Sequence, residues 1–85
     1  MERASTPLDK LLAAELDHAR DMLVMMGDEL ATSPDIVSEY GLALQAVDIV
    51  GQMIGHIANV VRAADRPDAI ERIGMGDLKA KLSAA

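Results

Sequence analysis

The chain has 85 residues, no cysteine and a net charge of −6 at pH 7. This length predicts a single domain, 1–85, and the lack of cysteine excludes disulfides, thiolate metal sites and cysteine nucleophiles. Residues 1–48 hold ten acids and three bases, whereas residues 49–85 hold four acids and five bases. Because the acidic half repels a phosphate backbone, nucleic acid is not an expected partner.

The apolar residues are of an unusual kind. Hydrophobic residues make up 51% of the chain, yet there is one tyrosine and neither phenylalanine nor tryptophan. Such aliphatic cores are typical of packed helices, whereas strands favour aromatic and β-branched residues. We therefore expect an all-α fold. The N-terminal residues show no apolar run behind a positive region, so we expect a cytoplasmic protein without a signal peptide.

Helix 1 is predicted over about 7–31. Thr6 is the expected N-cap, Pro7 suits the first helical position, and Asp9 completes a capping box. Six apolar residues then alternate in steps of four and three, which is the spacing of a heptad repeat. This heptad row consists of Leu12, Leu16, Ala19, Leu23, Met26 and Leu30.

Helix 2 is predicted over about 34–64, with Ser33 as N-cap and Pro34 at the first position. Its apolar residues cover roughly 220° of the helix circumference, whereas one packed face needs only somewhat more than about 100°. The helix must therefore be covered on two sides. We expect its outer face to be an interface, formed by Ala46, Ile49, Val50, Met53, Ile57 and Val60.

The connection between the two helices is so short that it predicts an antiparallel helical hairpin. If the heptad row faces helix 2, the numbers of paired residues have a nearly constant sum. This register places Leu30 opposite Val37 and Leu16 opposite Gly51, so that a large side chain fills the space above a glycine.

Two short helices are predicted near the C-terminus, over about 67–73 and 77–83, with Asp77 as the expected cap of the second. Gly74 and Gly76 interrupt them. They should therefore cover only part of the outer face of helix 2.

Few residues suggest chemistry. Glu15 and His18 have the Glu-x-x-His spacing of di-metal carboxylate bundles, but facing carboxylates at matching heights are missing, so both are expected in solvent. His56 is expected at an interface edge. The stretch Leu42–Val61 approaches the length of a membrane span, but Asp48 near its centre makes insertion unfavourable. We therefore expect no enzyme, no cofactor, no metal and no membrane partner.

The sequence predicts a non-catalytic interaction protein that forms a homodimeric four-helix bundle through the outer face of helix 2. Two alternatives stay open. One is a monomeric three-helix domain that binds another protein through its acidic helix 1. The other is a bundle that binds a small ligand or metal through Glu15, His18 or His56.

Overall fold

The computed structural model describes residues 5–84 and is all-α, as predicted. Within these residues there are four helices and no strand. Their bounds are α1 Pro7–Leu30, α2 Pro34–Arg62, α3 Arg66–Glu71 and α4 Gly76–Ser83.

The start of α1 is fixed by the predicted capping box. The Asp9 N–H donates to the Thr6 hydroxyl oxygen at 3.0 Å, and the Thr6 N–H donates to the Asp9 carboxylate at 3.2 Å. These two bonds satisfy backbone donors that a helix leaves unpaired at its first turn. Asp9 is buried, and its carboxylate also lies 3.4 Å from the guanidinium of Arg66 at the start of α3.

The start of α2 is also capped as predicted, since the Ser33 hydroxyl oxygen accepts from the Ile36 N–H at 3.4 Å. The helix ends at Arg62, two residues before the predicted end at Ala64. It also contains one backbone irregularity that was not predicted. Tyr40 has φ −121° and ψ 25°, which are not helical values, so α2 is kinked there.

The contacts between α1 and α2 show that the two helices run in opposite directions. The guanidinium of Arg62 donates to the carbonyl oxygen of Ala13 at 3.4 Å and also bonds the Asp17 carboxylate. At the other end, Gly27 lies against Val47. The start of α1 is therefore next to the end of α2.

Small residues form the closest part of this contact, because side chains without bulk let two helix backbones approach. Five of them are buried: Ala13, Gly27, Gly51, Gly55 and Ala58.

The predicted pairing of the helices was wrong. A Cβ atom added at Gly51 would lie 3.4 Å from a methyl carbon of Val24, so Val24 rather than Leu16 is opposite this glycine. Gly27 pairs with Val47 in the same register. The face of α1 that meets α2 is thus turned by about one residue, or about 100°, from the predicted face. As a consequence, the heptad row does not point directly at α2.

The short helices differ slightly from their predicted bounds, since α3 begins at Arg66 and ends at Glu71, and α4 begins at Gly76. Met75 occupies the N-cap position of α4, so Asp77 lies in its first turn instead of at the cap. The whole arrangement is elongated. Its principal extents are 52, 26 and 15 Å.

Candidate functional site

The predicted interface on α2 divides into two parts in the structure. The N-terminal three of its residues are exposed, and the C-terminal three are half-buried. The exposed set is Ala46, Ile49 and Val50, and the half-buried set is Met53, Ile57 and Val60. The predicted face is therefore open over its first half.

The second half of the face lies near the short helices. A groove of about 240 Å³ between α2 and α3 is lined by His56 and Asn59 on α2 and by Ala69, Arg72 and Ile73 after it. Ile73 and Leu78 are among the few buried apolar residues of the described chain. An ion pair of 3.3 Å between Lys79 and Glu71 joins α4 to α3.

The heptad row of α1 is largely uncovered as well. Leu12, Ala19, Met26 and Leu30 are exposed, whereas Leu16 and Leu23 are half-buried. This corrects the expectation that the row packs against helix 2. Large apolar side chains thus remain in solvent on both long helices, and the buried apolar residues of the described chain are Ala13, Ala58, Ile73 and Leu78.

Two grooves border the line along which α1 meets α2, and the first is apolar. It has a volume of about 280 Å³ and lies near the connection between the helices. Its lining consists of Leu30 on α1 and of Ile36, Tyr40, Ala43, Leu44 and Val47 on α2. The kink at Tyr40 lies within this groove. The groove therefore marks the side of the helix pair on which the uncovered apolar residues of α1 and α2 meet.

The second groove is polar and has a volume of about 460 Å³. Arg20 and Val24 line it from α1, and Asp48, Gly51, Gln52, Gly55, His56 and Asn59 line it from α2. The Arg20 guanidinium forms ion pairs of 3.1 Å with Asp17 and 3.0 Å with Asp21. It also covers the polar-groove side of Gly55, where an added Cβ would lie 3.2 Å from its Nη1 atom. Because its charge is matched by two neighbouring carboxylates, Arg20 adds little net attraction for an anion.

The residues singled out for ligand chemistry are not brought together. His56 lines the polar groove, whereas Glu15 and His18 are exposed on α1 and do not line it. Among residues 5–84, no group of three or more His, Asp or Glu side chains is arranged to hold a metal ion.

By length and composition, α2 is the one helix in the described chain that could cross a membrane. Its most apolar window has a mean hydropathy of 1.2, and 11% of that window is buried.

Comparisons with protein-family models, with curated proteins and with solved structures gave no match.

Proposed function

We propose that the chain is a non-catalytic helical interaction protein that forms a homodimer through exposed apolar residues of α2. Together, two copies would form a four-helix bundle of two antiparallel helix pairs. The observation that carries this proposal is the apolar surface that the chain leaves exposed on both long helices, which includes Leu12, Met26 and Val50. A stable domain buries the apolar faces of its helices between packed layers around one core.

The surface area supports the same conclusion. A compact monomer of 9.0 kDa is expected to expose about 4,850 Å². This chain exposes 6077 Å². The excess is on the order of 1,000 Å², and a dimer interface of standard size removes about 800 Å² from each partner.

Exposed side chains of α2 would supply part of this interface. Val50 is 43% exposed, and Ala46, one turn before it, is exposed as well. Large exposed apolar patches usually mark binding sites in soluble proteins. Burying such a patch stabilises association by about 25 cal/mol per Å² of apolar area, which amounts to several kcal/mol before the entropic cost of association.

The monomeric alternative requires the C-terminal helices to cover the same face. They leave Ala46, Ile49 and Val50 exposed, which favours the dimer over a monomeric three-helix domain.

Light scattering across a concentration range tests the proposal. We expect a mass near twice 9.0 kDa at micromolar concentration. Val50→Asp should reduce the mass to that of a monomer, because it buries an unpaired carboxylate in the interface. Gln45→Asp is a matched control at an exposed position of the same helix. A wild-type protein that stays monomeric at high micromolar concentration would refute the homodimer.

A further inference from the structure

We infer that the dimer interface includes the heptad row of α1, so that each copy presents one side of its helix pair rather than the outer edge of α2. This inference rests on the proposed homodimer and specifies which surface the second copy covers.

The apolar groove identifies the side. It is lined by Leu30 from α1 and by Ala43 from α2. Leu12 is eighteen residues before Leu30, which is five complete turns at 3.6 residues per turn, so both lie on one line along α1. The other members of the heptad row fall within about 40° of that line at about 100° per residue.

The same geometry assigns residues of α2. Val50 lies about 20° from the line of Ala43, whereas Ile49 lies about 120° from it. Val50 is therefore on the side of the apolar groove, next to the heptad row. Ile49 is on the back of the helix.

The polar groove lies on the opposite side of the helix pair, where Val24 of α1 meets Asp48 and Gln52 of α2. The two sides thus differ in chemistry. One joins apolar rows from both helices, and the other joins polar side chains. The apolar side is the one that a second helical layer would cover.

The distribution of charge points to a second copy as the occupant. The heptad row contains no charged residue. From Ala43 onward, the positions of α2 on the same side are uncharged as well: Ala43, Ala46, Val50, Ile54 and Ile57. Glu39 precedes this stretch and lies before the kink at Tyr40. Two copies of a chain with a net charge of −6 repel each other wherever their acidic surfaces meet. Where these uncharged positions face each other, a second copy of the chain can approach without such repulsion. A basic partner would instead bind more strongly to the acidic faces, because these uncharged positions offer no carboxylate to pair with its basic groups.

Matched double variants test the inference, because neighbouring residues of the same type point in different directions. Leu12 and Met26 belong to the heptad row and are 48% and 49% exposed. Leu11 and Met25 lie about 100° or more from it and are 65% and 64% exposed. We expect Leu12→Glu with Met26→Glu to raise the dimer dissociation constant by about 100-fold or more, as loss of central interface residues does. Leu11→Glu with Met25→Glu should change it by less than about threefold.

The outcomes separate this inference from the proposed function. If the wild type is a dimer and both double variants weaken it equally, the homodimer stands and the heptad-row interface is wrong. A monomeric wild type overturns both. If the wild type is monomeric in buffer but sediments with lipid vesicles, the apolar side faces a membrane.

A second measurement uses small substitutions at exposed positions, which keep the fold. The chain has no cysteine, so one introduced thiol can be followed alone. Ala19 belongs to the heptad row and Ala14 points away from it, and both are exposed in the single chain. We expect Ala19→Cys to react with a maleimide at least about tenfold more slowly than Ala14→Cys at dimer concentrations, and to lose this protection on dilution. Equal rates at all concentrations would overturn the inference.

Discussion

Two Gly→Ala substitutions provide a direct test of how α1 and α2 pack. A Cβ atom at Gly27 would lie 3.1 Å from the Cγ1 atom of Val47, which is closer than ordinary van der Waals contact. At Gly41, the same atom would have no neighbour within 4 Å in the described chain beyond its own helical turn. Gly27 lies inside α1, and Gly41 lies in α2 directly after the kink at Tyr40. Neither of these glycines has a positive φ, so alanine fits the backbone at both positions.

The magnitudes follow from two opposing effects. Replacing a glycine inside a helix by alanine raises the free energy of unfolding by about 0.5–1 kcal/mol, because glycine loses more backbone entropy on folding. Gly41→Ala should gain this amount. At Gly27 the methyl group must displace Val47, whose branched side chain has little freedom to rotate in a helix. Overpacking costs about 1–3 kcal/mol, so we expect Gly27→Ala to lose about 1 kcal/mol overall.

Thermal unfolding followed by circular dichroism measures the difference. The protein concentration must be equal in all samples, because association contributes to stability. At about 4–8 °C per kcal/mol for a domain of this size, the two variants should melt about 6–16 °C apart, with the wild type between them. Equal increases in Tm would refute the register described here. They would show that Val47 does not pack against Gly27 in solution.

Three further predictions concern single features. Thr6→Ala removes the capping box of α1 and should lower the free energy of unfolding by about 1 kcal/mol in a urea titration; no change would mean that the first turn frays in solution. In a double-mutant cycle, Arg62→Met and Asp17→Asn should show a coupling energy below about 1 kcal/mol, since both side chains are partly in solvent; a much larger value would show that the partner copy buries the pair. Replacing His18 and His56 together by Gln should leave helix content and mass unchanged; loss of a stoichiometric metal, measured by elemental analysis, would favour the metal-binding alternative.

Local features of the fold could be predicted from the sequence, because each depends on a few neighbouring residues. Thr6 and Ser33 cap the two long helices as expected, since a side-chain oxygen before a proline is a strong helix start. The kink at Tyr40 had only a faint signal in the sequence, the glycine that follows it. A glycine inside a helix weakens it but does not specify a bend.

The register was harder to predict because heptad spacing is periodic. If α1 is rotated by one residue, or shifted along α2 by two turns, the resulting pairing of the two helices is equally regular. The predicted register places the row with the largest apolar residues against the neighbouring helix. In the structure, that position is taken by a row of small and polar residues, which includes Ala13, Asp17 and Gly27. Small residues allow the backbones to approach closely, and Arg62 is long enough to bond Asp17 across the contact.

The error in the register and the proposed interface have a common physical basis. A pattern that is interpreted within one chain assigns every apolar row to a partner in that chain. Within residues 5–84, α2 is the only other long helix that can pack against α1. Two rows of α1 then compete for one neighbour. Close approach through glycine and alanine favours the small row, and it leaves Leu12, Met26 and Leu30 beside the contact, in line with the apolar groove. These side chains are too large to fit between two touching helices, but they have the size and spacing of residues that fill the centre of four. A second copy therefore provides what the first chain lacks, a layer of helices at the distance that large side chains require.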